Sequence, residues 1–186
     1  MIDKLRARAK SIASSLKAIP KDETIRIVGH NDTDGLCSLA IISKALMKEG
    51  YQFSLSSVQQ LNEGLLKEIA LEEYSYVVFV DLGSGYLSMI QEKLGDKEVF
   101  VIDHHHVEDV EFKGQHINPH LEGIDGGMMV SGAGMCYLVA KEMDGENINL
   151  AHLGIIGAIG DSQEKDGFQE LNDRILQDAI ASGKLS

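Results

Sequence analysis

Four segments of this chain place Asp or His where an apolar run stops. They are GHNDTDG at Gly29–Gly35, VVFVDLG at Val77–Gly83, VFVIDHHH at Val99–His106 and IIGAIGDSQ at Ile155–Gln163. A carboxylate at the end of a buried strand is costly unless it is paired or binds a cation. In open α/β sheets, strand ends are also where ligands bind. Four such positions in series, two of them carrying His, point to divalent metals and phosphate-ester chemistry.

Each segment also has a plainer reading. His30, Asp32 and Asp34 alternate, so in an extended loop all three would face one ion pair. They would equally suit an Asx turn followed by helix-capping carboxylates. Asp81 follows YVVFV and is either a ligand or a helix cap, and Ser84 two residues past Leu82 offers a cheaper cap. Asp103-His104-His105-His106 mixes carboxylate and imidazole, a donor set suited to Mn²⁺, Zn²⁺ or Fe²⁺, whereas Mg²⁺ prefers oxygen alone. Asp161 follows an apolar helix, where a negative side chain is badly placed against the helix dipole unless a cation offsets it. His116 and His120 flank Ile117-Asn118-Pro119, a loop that either touches substrate or turns the chain. His152 falls on an apolar helix and reads as a core histidine.

The elements that position these residues are legible from periodicity. Met1–Ile19 has apolar residues at spacings of three and four and ends at Pro20, which marks an amphipathic helix. Ile25–Val28, Tyr51–Val58, Tyr76–Val80 and Val99–Ile102 read as strands. Helices are expected at Leu36–Lys48, Leu61–Leu71, Tyr86–Leu94, Ser131–Lys141, Leu150–Ile159 and Phe168–Ala181. Apolar strands alternating with helices predict an α/β domain: a mostly parallel, about five-stranded sheet with helices on both faces. The Gly-rich stretch 107–130 is read as irregular.

Composition sets limits. A length of 186 residues suits one domain, and 44% apolar residues suit a substantial core. The net charge of −12 argues against a broad nucleic-acid surface, which would rest on Lys and Arg. Two bound divalent ions would cancel about four of those charges. Cys37 and Cys136 lack a C-x-x-C partner and read as reduced thiols, consistent with a cytoplasmic protein. The basic, helical N-terminus is not a signal peptide, and no run approaches the ~18 apolar residues of a membrane span.

With these residues in their order, the chain resembles the DHH phosphoesterase superfamily, in particular its RecJ-like exonuclease branch of the archaeal type. The resemblance rests on His30-x-Asp32-x-Asp34, Asp81, Asp103-His104-His105 and Asp161, supported by INPHLEGIDGG, SGAGMCYLVA and AIGDSQ. It implies one ion held by His30, Asp32 and Asp81, and a second held by Asp34, Asp81, His104 and Asp161. Asp103 would orient a histidine, and His105 would contact the scissile phosphate. The implied ions are two divalent cations, Mn²⁺ foremost, with Mg²⁺ or Co²⁺ as alternatives.

The implied activity is two-metal hydrolysis of single-stranded DNA or RNA from an end. Alternatives are a small-nucleotide phosphoesterase (short oligonucleotides, cyclic dinucleotides or pyrophosphate) and a replication-complex partner module, with proteins such as GINS as partners. The resemblance covers the chain as one DHH catalytic domain, residues 1–186, with an N-terminal helix at 1–19. The family's C-terminal substrate-binding domain is expected to be absent, because the sequence ends about 25 residues after Asp161.

Overall fold

The computed structural model describes residues 1–185. Its centre is a sheet of β1 (Thr24–His30), β2 (Gln52–Val58), β3 (Tyr76–Val80), β4 (Glu98–Ile102) and β5 (Gln115–Ile117), in the order β2-β1-β3-β4-β5. Every neighbouring pair is parallel. The helices are α1 (Ile2–Ala18), α2 (Thr33–Lys48), α3 (Glu63–Leu71), α4 (Leu87–Lys93), α5 (Gly132–Met143), α6 (Ala151–Gly160) and α7 (Glu170–Ala181).

The connections follow from handedness. β1 leads through α2 to β2 on one side, and the chain then returns past β1 to β3. Right-handed crossovers therefore put α2 on one face and α3 and α4 on the other. The core divides accordingly. Ile25, Ile27, Val78, Val80, Phe100 and Ile102 share a core with α1, α2 and α5, and α7 packs outside on α6 and α5. Val28, Val77, Phe79, Val99 and Val101 pack against α3 and α4. Residues of opposite parity on one strand thus serve opposite faces, which is why β3 and β4 read as unbroken apolar runs.

β1 is the switch point, since the chain leaves it in opposite directions on its two sides. A crevice opens there beyond the carboxyl ends of the strands. His30 ends β1, Asp81 follows β3 and Asp103 follows β4.

Most elements lie within two residues of their expected bounds. Ser131 caps α5, its side chain accepting from Gly134 N. Three differences concern the site. β1 runs on through His30, and α2 begins at Thr33, so no extended loop separates them. Ser84 is not a side-chain cap; its hydroxyl turns inward to His116 and Asn118. The stretch 107–130 contains β5, a three-residue strand with no readable period. His152 is only half-buried, and its Nδ1 has no hydrogen-bond partner.

Candidate metal centre

The corrected start of α2 changes how the first motif works. Asp32 is the N-cap of α2, accepting from Gly35 N at 2.9 Å. Asp34 lies inside the first turn and is fully buried. The side-chain period changes from strand to helix at Asp32, so His30 and Asp32 face one way and Asp34 another. Asp34 also accepts from Gly132 N (2.6 Å) and Ala133 N (2.9 Å), the first amides of α5. Capping and site formation coincide: the first two amides of α5 hold this carboxylate in position.

Asp81 occupies a left-handed backbone conformation, φ 58°, rare for a residue with a Cβ. The turn aims its carboxylate across the ends of β1 and β4. It is 1% exposed, and neither oxygen has a hydrogen-bond partner.

The histidine tautomers follow from their outer contacts. His30 Nε2 lies 3.0 Å from the Gln59 carbonyl and His104 Nδ1 lies 2.8 Å from the Gly126 carbonyl. A carbonyl can only accept, so each of these nitrogens carries the proton. The other nitrogen of each ring then faces the carboxylates. His30 Nδ1 is 2.7 Å from Asp32 Oδ2 and 3.7 Å from Asp81 Oδ2. His104 Nε2 is 3.2 Å from Asp81 Oδ1, 3.2 Å from Asp161 Oδ2 and 3.6 Å from Asp34 Oδ2. Neither nitrogen makes a hydrogen bond there.

Buried donors and acceptors left this way are expensive. Their convergence is what a cation coordinated by all of them would resolve. Three ligand-like groups result: His30, Asp32 and Asp81; Asp34, His104 and Asp161; and Asp81, His104 and His105. The first two together contain all six positions singled out in the sequence as metal ligands. The donor set, imidazole with carboxylate and without thiolate, fits a hydrolytic divalent ion.

Asp103 is fully buried, and its oxygens accept from Ser84 N, His104 N, His105 N and His105 Nδ1, the last at 2.8 Å. Burial alone would raise its pKa, but the His105 hydrogen bond and the neighbouring imidazoles hold it well below the carboxylate range. The same bond raises His105, whose side chain is 52% exposed; this favours the imidazolium form, in which Nε2 also carries a proton.

Several supporting residues lie outside the set expected from the sequence. Gln163 Nε2 donates to the Gly126 carbonyl at 3.0 Å, the same oxygen that orients His104, and Asn172 of α7 donates to Gln163 Oε1 at 2.7 Å. Asn118 donates to Ser84 Oγ and to the His105 carbonyl, both at 2.9 Å. It also accepts from His120 N, which makes the loop a turn, while His116 is tied to Ser84. The signal available was a carboxamide in each of INPH and AIGDSQ. Gln163→Ala should weaken Mn²⁺ binding about 10–100-fold, as loss of outer support does at metal sites. Calorimetric titration reads this directly, and an unchanged affinity would remove Gln163 from the site.

The electrostatics predict a proton count. Burial and the charge of Asp34 push Asp81 up to about 8. Burial opposes a charge on His104, yet Asp81 and Asp34 push it up to about 10. The pair therefore retains a proton at neutral pH when no cation is bound, and ligation must displace it. Below pH 8, Mn²⁺ affinity should rise about tenfold per pH unit for each proton released. Calorimetry in buffers of differing ionisation enthalpy should give at least one proton released at pH 7; no release would contradict this arrangement.

The fold and site define an α/β protein with a carboxylate–imidazole cluster at its switch point. The model of the DHH family, N-terminal domain, matches residues 24–158, and the chain belongs to that family. An uncharacterized protein of Methanocaldococcus jannaschii is 35% identical over 147 residues, covering 75% of this chain and 33% of the relative. Among solved structures, exonuclease RecJ bound to manganese gives a TM-score of 0.75 at 23% identity, covering 95% of this chain and 47% of that one. RecJ of Thermus thermophilus in complex with Mn²⁺ gives 0.74 at 23% identity, covering 94% and 26%. CDC45 of Entamoeba histolytica gives 0.61 at 19% identity, covering 97% and 38%. The chain thus has a DHH phosphoesterase fold similar to RecJ, and it spans between a quarter and half the length of these relatives. Among the described residues, no helix is long and apolar enough to cross a membrane.

Proposed function

We propose that the chain is the catalytic domain of a metal-dependent phosphodiesterase that shortens single-stranded DNA or RNA from an end. The observation that carries this reading is the pair of buried imidazole nitrogens, His30 Nδ1 and His104 Nε2, aimed without hydrogen bonds into Asp32, Asp34, Asp81 and Asp161. One cation would be held by His30, Asp32 and Asp81, the other by Asp34, Asp81, His104 and Asp161, with Asp81 shared. Bound there, two divalent ions would supply Lewis acidity at the phosphoryl group and a water acidic enough to ionise near neutral pH.

The protein's own groups do the rest. Asp103 fixes the His105 ring through Nδ1 and favours its imidazolium form, whose Nε2–H would donate to a non-bridging phosphoryl oxygen. Ser84 and Asn118 brace Asp103 and the His105 backbone, and the Gly126 carbonyl orients His104. Similarity to manganese-bound RecJ supports Mn²⁺ as the ion.

A small-nucleotide phosphoesterase is the second reading, favoured by the net charge of −12. A long polyanion gains little from such a surface. The two separate on an end-labelled oligonucleotide incubated with Mn²⁺. A ladder of products shortened one nucleotide at a time is expected. Cleavage confined to dinucleotides would transfer the reading to the small-substrate class.

A further inference from the structure

A cavity of about 450 Å³ opens directly beside the cluster, with His30, Asp81 and His105 on its inner side. Its outer walls come from two loops at the carboxyl edge of the sheet. Leu61 follows β2; Leu82 and Tyr86 follow β3. Gln60 Nε2 donates to Tyr86 Oη at 2.7 Å and ties those loops together. His106, the third histidine of the run and unused by the site, lines the same space and is exposed. A larger cavity of about 560 Å³, behind His116 and against α1, touches no residue of the cluster.

The lining decides what this space accepts. None of the described residues that line it is Lys or Arg, and two are buried aspartates. A second phosphate there would meet like charge with no fixed cation to offset it. The walls instead offer two leucines and an aromatic ring, with a carboxamide and an imidazole at the rim. That combination suits a flat, uncharged heterocycle whose edge makes hydrogen bonds, because any base stacks on an aromatic face whatever its sequence.

We infer that this cavity is a nucleobase subsite, holding the base of the nucleotide whose phosphate lies at the carboxylate–imidazole cluster. The substrate class rests on the phosphodiesterase reading; the pocket's chemistry does not. Attraction then comes from stacking beside the site rather than from a basic surface, which reconciles a nucleotide substrate with a strongly acidic protein.

Gly85 supplies the test. It borders the cavity, and a Cβ added there meets only the His106 carbonyl oxygen at 3.8 Å, so a larger side chain can enter the space without disturbing the backbone. The experiment is an amide-resolved NMR titration of the metal-free, isotope-labelled chain with adenosine, uridine and ribose 5-phosphate. Both nucleosides should shift Leu61, Gly83, Gly85 and Tyr86 saturably, and ribose 5-phosphate should not. Gly85→Leu should abolish those shifts with the rest of its spectrum intact. Tyr86→Ala, a second variant should that one fail to fold, should bind about tenfold or more weakly. Equal shifts from ribose 5-phosphate, no shifts from either nucleoside, or undiminished binding by the variants would each overturn the subsite. The titration involves no hydrolysis, so its failure is distinct from failure of the activity.

Discussion

Asp81→Asn should produce a protein that is more stable without metal and inactive with it. Asp81 is buried, lacks a hydrogen-bond partner and adopts φ 58°, and burial with the charge of Asp34 pushes it up to about 8. Its folded pKa lies above the ordinary carboxylate value. The associated stability is therefore fully present only below pH 4 and is lost as pH rises through 8. The neutral amide avoids that loss, so the unfolding midpoint of the metal-free variant at pH 8 should exceed that of the parent by a few degrees, roughly 1–2 kcal/mol. The same change removes the carboxylate that the proposed function shares between the two ions. Mn²⁺ binding should be lost and hydrolysis should fall by at least the ~10²–10³-fold seen when one transition-state-stabilising group is removed. A structural role for Asp81 predicts the opposite sign in stability, so thermal scans and turnover together decide.

Gly157→Ala should damage the site from behind. A Cβ at Gly157 would overlap Asp34 Oδ1 and the Ala133 side chain, where α6 crosses the junction of α2 and α5. Gly132 makes the same kind of approach to Asp81. Both carboxylates thus lie against bare backbone, which lets them lie deep among the helices while staying near the histidines. Overpacking here should cost about 1–3 kcal/mol, and displacement of Asp34 should weaken Mn²⁺ binding about 10–100-fold. Gly145→Ala is the control: its Cβ meets nothing within 4 Å, so its stability should stay within about 0.5 kcal/mol of the parent. Urea unfolding and metal titration of the two variants make the comparison. Equal behaviour would mean that Asp34 is not held as described.

These two changes also show where sequence was informative. Asp81 stood out because a lone charge ended a run as apolar as YVVFV, and such a run has few readings other than a buried strand. β3 accordingly spans Tyr76–Val80 as expected. Ser131 announced α5 because a hydroxyl before a small-residue helix has an orphan amide to satisfy. The fold class followed from strands of this kind alternating with helices.

What escaped was set by tertiary contacts. β5 is three residues long and gains its identity from pairing with β4, not from any internal pattern. The alternation of His30, Asp32 and Asp34 suggested three side chains on one face. The strand-to-helix junction falls between them and sends Asp34 toward His104 and Asp161 instead. Gly157, Gln163 and Asn118 carry no charge, so nothing in their own chemistry marked them; each matters through the backbone or carboxylate it touches.

The most direct test counts the ions. Mn²⁺ added to the metal-free protein at pH 8, followed by electron paramagnetic resonance, should saturate at two ions per chain. The pair should show spin coupling, because two-metal hydrolytic sites hold their ions about 3.5–4 Å apart and the proposed arrangement has them share Asp81. One ion per chain, or two that behave independently, would contradict a centre bridged by Asp81.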